Sequence, residues 1–263
     1  MEGLIAMYSR GLTRAEAVRH ESRMDFLTSD GLGLYYELHG NEGAPLVFVH
    51  GYTGDITDWR YQIPEFSRTH RLLILDNRGH GRSQAPANGE AINIEQMAND
   101  VEALAAQVGF ERYHLLGHSM GGAIAQEIAL RSPAKLLSLV LEDTSYRFSG
   151  HRLESPQAPR PLPPERQQQV MERMSRMTPE TLLAGWQALM SWQGTEQRAA
   201  QIQTPTLIIY GTHDAPALVQ GSRRLGELIP RSELCVIAGA AHCPQEERPE
   251  EFNEALRTFL ERF

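Results

Sequence analysis

Ser119, Asp214 and His242 are the residues whose types and settings point to chemistry. Ser119 stands in Gly117-His118-Ser119-Met120-Gly121, after a short apolar run and before a small-residue segment with helical spacing. That order reads as strand, sharp turn and helix with a serine at the apex. Such a turn strains the serine backbone and lifts its hydroxyl clear of the sheet edge. Gly117 and Gly121 flank it where larger side chains would collide as the turn closes. The helix that follows aims its first N–H groups and the positive end of its dipole at the serine, where negative charge would develop.

A serine hydroxyl is too weakly acidic to attack an acyl carbon unaided. It needs a base within hydrogen-bond reach, and that base needs an anion to fix its tautomer and stabilise the imidazolium. His242 follows the apolar run at 234–237, and Asp214 follows the run at 205–210. Both are therefore expected to project from the same sheet edge as Ser119. Asp143, after the run at 136–141, is placed in the same way and is a second candidate for the acid.

With Ser119, Asp214 and His242 in that chain order, the sequence resembles the α/β-hydrolase family from about residue 24 to residue 263. Further motifs support the resemblance. His50-Gly51-Tyr52-Thr53-Gly54 follows the apolar run at 46–49, and Asp76-Asn77-Arg78-Gly79-His80-Gly81-Arg82-Ser83 matches the family's D-x-R-G-x-G-x-S turn. The resemblance implies an oxyanion hole made by the backbone N–H groups of Tyr52 and Met120. It also favours Asp214 over Asp143, because Gly-x-x-Asp at 211–214 is the commoner arrangement for the acid. Asp76 and Arg78 are expected to hold their loop as an ion pair, and His80 to be a solvated turn residue.

The elements that must position these groups are legible in order. An opening hairpin is expected around the Asp30-Gly31 turn. The unbroken apolar runs at 46–49 and 72–75, and the largely apolar runs at 136–141 and 205–210, have the character of central parallel strands. Between them, Asn93 caps a periodic helix carrying Ile94, Met97, Val101 and Leu104. Phe252, Leu256, Phe259 and Leu260 form the inward face of a closing helix. Strand and helix alternate, which gives an α/β fold with a mostly parallel, doubly wound sheet and its site at the strands' carboxyl ends.

The pattern breaks after the sixth strand. A proline-rich stretch at 156–164 precedes a helix near Glu165 and another capped by Thr178-Pro179. The domain reading is an N-terminal extension at 1–23, a core at 24–145 and 201–263, and a helical cap at 146–200. A capping box at Thr13–Glu16 suggests a short helix in the extension. Leu182, Leu183, Trp186, Leu189 and Met190 should share the buried face of the second cap helix. Trp186, Trp192 and Met190 are the candidate substrate-binding residues, as part of an apolar roof.

Composition bounds the function. The 263 residues are 41% hydrophobic and carry a net charge of −8 with the two signs interspersed, which argues against nucleic-acid and anionic-membrane partners. No apolar run reaches transmembrane length, and the start of the chain lacks the pattern of a secretory signal. Two cysteines, Cys235 and Cys243, suit a reducing cytoplasm, and no Cys/His cluster has metal-ligand spacing, so neither metal nor cofactor is expected. A serine nucleophile excludes the alkyl-transfer chemistry of the fold's aspartate enzymes, since a serine ether could not be hydrolysed. Tyrosine is also absent between Arg147 and Ile209, where epoxide-opening relatives place it. The expected activity is hydrolysis of a small-molecule ester, lactone or thioester. A carbon–carbon bond hydrolase, a cofactor-free oxygenase or perhydrolase, and a slow-turnover ligand receptor share the same residues and stay open.

Overall fold

A computed structural model describes residues 20–86, 92–149 and 164–263. The expected helix near residue 13 and most of the proline-rich stretch lie outside them. The strands are β1 (His20–Leu27), β2 (Gly33–His39), β3 (Pro45–Val49), β4 (Arg71–Leu75), β5 (Tyr113–His118), β6 (Leu136–Glu142), β7 (Thr206–Gly211) and β8 (Ser232–Ile237). They form one eight-stranded sheet in the order β1-β2-β4-β3-β5-β6-β7-β8. β1 pairs antiparallel with β2, and β2 with β4; every pair from β4 to β8 is parallel.

Apolar runs at 46–49 and 72–75 become central strands because both faces of the sheet are covered. Val47, Val49, Leu73 and Leu75 pack into one core, while Leu46, Phe48, Leu72 and Ile74 pack into the other. The period of two along each strand thus feeds two cores at once.

The helices are α1 (Ile63–Phe66), α2 (Ile94–Gln107), α3 (Met120–Arg131), α4 (Pro164–Met174), α5 (Pro179–Ser191), α6 (Pro216–Leu228), α7 (Pro244–Glu247) and α8 (Pro249–Leu260). Asn93 caps α2 by accepting the Gln96 N–H at 2.7 Å, and the stripe from Ile94 to Leu104 is buried. α3 is buried from Met120 to Ala129, which its small residues permit against the sheet. Phe252, Leu256, Phe259 and Leu260 of α8 fill the opposite core.

α4 and α5 form the excursion between β6 and β7, and the buried face of α5 differs from the expected one. Thr181, Gly185, Ala188 and Leu189 are buried, whereas Leu183 is 56% and Trp186 49% exposed. Gly185 sets this rotation. A Cβ there would lie 3.0 Å from the Tyr52 ring, so the helix seats its one bare position on that ring and turns Leu183 and Trp186 outward. The Tyr52 hydroxyl fixes the seat by donating to the Leu182 carbonyl at 2.8 Å.

Candidate active site

β5 ends in Ser119, whose backbone lies at φ 53°, ψ −114°, before α3 begins. Its N–H donates to the Glu142 carbonyl at 2.9 Å, and its own carbonyl accepts from the Gly122 N–H at 2.9 Å and the Thr144 hydroxyl at 2.7 Å. These bonds hold a conformation that an isolated serine would avoid. A Cβ on Gly117 would fall 2.1 Å from the Gly121 carbonyl oxygen, and one on Gly121 the same distance from that of Val49. The turn can close only with glycine at both places.

Ser119, His242 and Asp214 form a continuous hydrogen-bonded chain. His242 Nε2 lies 3.1 Å from Ser119 Oγ, and Nδ1 lies 3.1 Å from Asp214 Oδ2. An ionised carboxylate only accepts, so Nδ1 carries the proton and Nε2 presents its lone pair to the serine hydroxyl. Burial opposes ionisation of Asp214. The His242 imidazole beside it and its hydrogen bond, with the Ala215 N–H, outweigh it and hold this carboxyl below its ordinary value. Serine, base and anion thus come from the ends of β5, β8 and β7, neighbouring regions of one sheet edge.

Asp143 is fully buried beside this chain, with its Oδ1 accepting the Gly211 N–H at 3.0 Å. Side-chain donor atoms of Asp143, Asp214 and His242 lie within 4.8 Å of one another. Within this group, His242 Nδ1 and Asp214 Oδ2 are already hydrogen-bonded to each other.

The loop after β3 is fixed by His50. Its Nε2 accepts the Asn77 N–H at 2.9 Å, which leaves Nδ1–H to donate to the Gly51 carbonyl at 2.7 Å. Tyr52 follows that carbonyl. Met120, across the elbow, is the first residue of α3, and its N–H therefore lacks an intrahelical acceptor.

A family model for the alpha/beta hydrolase fold matches residues 44–174 and 165–249. The chain belongs to this family. Among curated proteins it is similar to a putative carbamate hydrolase, RutD, of Azorhizobium caulinodans, with 29% identity over 86% of this chain and 94% of that one. It is equally similar, at 29% identity over 86% of its length, to the dihydrolipoyllysine-residue acetyltransferase component of an acetoin cleaving system from Pseudomonas putida. The match spans 66% of that longer protein. Among solved structures it is similar to a thermophilic esterase from Thermogutta terrifontis, with a TM-score of 0.78 and 25% identity over 93% of this chain and 98% of that one.

This alpha/beta hydrolase has a small cavity of about 150 Å³ against His242, walled by Gly51, Tyr52, His118, Val170, Arg173 and Cys243, with Asp58 beside them. Its outer wall comes from α4, not from the expected tryptophans. Arg173 reaches down from α4, pairing with Asp58 and lying 3.3 Å from Asp55, while its Nη2 donates to Thr57 Oγ1 at 2.6 Å. Trp192 is elsewhere. It is buried with its Nε1–H donating to Glu127 at 2.8 Å, and its indole thus serves the core beside α3. Trp186 rests near the outer side of Tyr52, with ring centroids 6.1 Å apart, and Met190 is half-buried; neither lines the cavity.

Further expectations are corrected around the site. Arg78 pairs with Asp100 at 2.6 Å and Asp30 at 2.9 Å, not with Asp76. Asp76 instead accepts the backbone N–H groups of Ile56 and Arg82, each at 2.8 Å, because its neighbours turn those donors inward. His80 is buried rather than solvated, tilted against the His50 ring and edge-on to Tyr52, and burial pushes it down to about 3. His118, the residue before Ser119, donates through Nε2–H to the His242 carbonyl at 2.7 Å. Burial and the His242 charge push His118 to about 3 as well, so it is a neutral brace and no rival base.

Among the described residues no helix is long and apolar enough to cross a membrane.

Proposed function

We propose that this alpha/beta hydrolase cleaves a carboxylic ester, lactone or thioester through an acyl-enzyme on Ser119. The observation that carries the reading is the unbroken Ser119–His242–Asp214 chain beside a cavity. Ser119 Oγ attacks the acyl carbon as its proton passes to His242 Nε2. The carbonyl oxygen takes up the negative charge between the N–H groups of Tyr52 and Met120, preorganised donors that meet charge only as it develops. His242 then returns the proton to the departing oxygen or sulfur, and Asp214 stabilises the transient imidazolium. Water repeats the sequence on the acyl-enzyme, releasing acid and restoring the serine.

The charge beside the cavity supports an uncharged group. About 150 Å³ of space lies against His242 among the described residues. Asp55 and Asp58 surround the single guanidinium of Arg173, so a substrate carboxylate meets excess negative charge there. A carbamate presents the same acyl carbon with a nitrogen substituent, and the similarity to putative carbamate hydrolases supports that second class. The test is turnover on a panel of p-nitrophenyl esters, lactones, thioesters and carbamates of increasing acyl size. Absence of turnover on every one of these classes overturns the reading.

The rate should follow the base. kcat/KM is expected to rise with pH along a single limb as His242 loses its proton, because only the neutral ring can accept the serine proton. Asp214, held below the ordinary carboxylate value, stays ionised throughout that limb and adds no second rise. A profile flat from mildly acidic to mildly basic pH would argue against a histidine base.

α4 and α5 act in this reading as a cap fastened by Arg173. Replacing Arg173 by alanine leaves Asp55 and Asp58 buried beside each other without their cation, a loss on the order of 3 kcal/mol. Arg173→Ala is expected to lower Tm by about 6–12 °C, or to expose α4 to limited proteolysis if the helix releases alone. Unchanged melting together with unchanged proteolysis would show that the pair does not fasten the cap.

A further inference from the structure

Asp143 is a second carboxyl group in contact with the relay, and the proposed mechanism leaves it without a task. It terminates β6 in the left-handed region at φ 39°, which aspartate tolerates better than most residues. Its N–H donates to the Ile209 carbonyl at 2.9 Å, and this bond ties it to the end of β7, just ahead of Asp214. The side chain is fully buried. Oδ1 has the Gly211 N–H at 3.0 Å, while Oδ2 has no N–H or hydroxyl donor among the described residues.

The groups that face it are acidic or already engaged. Asp214 approaches from the loop after β7, Glu142 precedes it on its own strand, and His242 approaches from the segment after β8 but gives its Nδ1–H to Asp214. The Gly211 N–H is the favourable contact for a negative charge on Asp143. Two buried carboxylates in contact cannot both stay ionised, so one must keep a proton. Asp214 has the imidazole and the Ala215 N–H at 2.6 Å to stabilise its charge; Asp143 has one amide. The proton therefore rests on Asp143. It also turns the orphaned Oδ2 into a donor with an acceptor in reach, which removes an unsatisfied buried atom.

We infer that Asp143 is a neutral carboxylic acid that donates a hydrogen bond to the Asp214 carboxylate and so positions it against His242. This rests on the relay reading of Ser119, His242 and Asp214. Burial and the Asp214 charge push Asp143 well above the ordinary carboxylate range, in keeping with a retained proton. The bond draws off part of Asp214's charge and limits its rotation, so the anion is tuned as well as held.

The test compares Asp143→Asn with Asp143→Ala in the full chain, once the wild type turns over an ester. Failure of that turnover would count against the relay reading and not against Asp143. An amide N–H replaces the acid O–H, so Asp143→Asn should keep kcat within about threefold and leave the acid limb in place. Asp143→Ala removes the donor. Asp214 then holds the imidazolium more tightly, so the limb should move up by about one pH unit and kcat fall about tenfold.

An ionised Asp143 predicts the opposite sign, since Asp143→Asn would delete a negative charge and move the limb down. That result overturns the inference, as does Asp143→Ala with wild-type rate and profile. Should the alanine variant fail to fold, infrared difference spectroscopy gives an independent answer. A protonated-carboxyl band at neutral pH should vanish in Asp143→Asn and survive in Glu142→Gln. A spectrum with no band that depends on Asp143 would sink it.

Discussion

Ser119→Ala is expected to lower kcat for ester hydrolysis by about 10⁶-fold, leaving roughly 10³-fold over the uncatalysed rate. What remains in that variant is the oxyanion donors and the cavity, which bind and polarise a substrate but supply no nucleophile. Folding should survive. The elbow is held through the backbone of Ser119, by Glu142, Gly122 and Thr144, and alanine keeps every one of those bonds. The lost hydroxyl gives up its bond to His242 and none that shapes the turn, so the melting curve should barely move. A fluorophosphonate probe should label the wild type and leave the variant unlabelled. Labelling of the variant, or turnover within a hundredfold of wild type, would remove Ser119 from the nucleophile's role.

The parts of this molecule that are legible in the sequence are those with a local cause. Runs such as 46–49 and 72–75 announce central strands because every residue must be apolar when both faces are covered, and all of Leu46 to Val49 are fully buried. The elbow is legible because its glycines answer collisions a few residues away. The placement of Ser119, Asp214 and His242 follows from strand ends, and the sheet brings those ends to one edge. Recognition of the family adds the Tyr52 loop, whose His50 brace has no sequence period to reveal it.

What escapes the sequence is pairing over distance. Arg173 and Asp58 lie 115 positions apart, and nothing in the composition of α4 marks one arginine as the fastener. Proximity along the chain offers Arg78 its near neighbour Asp76, yet folding brings it Asp100, 22 positions on, with bidentate geometry. The buried face of α5 departs from expectation for a related reason. An apolar stripe counts side chains by type, whereas the seat on Tyr52 selects the position with no side chain at all. Trp192 illustrates the limit of reading aromatic residues as pocket walls: its indole N–H requires a buried acceptor, and Glu127 supplies one away from the cavity.

Asp214→Asn is expected to lower kcat by about 10³–10⁴-fold with the fold intact. The asparagine side chain fits the same space, but its orientation decides what His242 becomes. If the new amide presents its N–H to Nδ1, that nitrogen must be the acceptor, and the ring's proton moves to Nε2. The serine then faces a donor and cannot surrender its proton. If the amide presents its oxygen, the tautomer is preserved but the imidazolium forms without a counter-charge. Both arrangements slow the step in which Ser119 attacks, and neither weakens substrate binding, so KM should change little beside kcat. The comparison that decides the acid is with Asp143→Asn, assayed at the same pH with melting curves for both. Asp143 lies behind Asp214 in the relay, where its Oδ1 accepts the Gly211 N–H, whereas Asp214 Oδ2 stands 3.1 Å from the ring nitrogen. Loss at Asp214 should therefore exceed loss at Asp143 by at least about a hundredfold. The reverse order, with Asp143→Asn the crippled variant, would transfer the role of the anion to the end of β6.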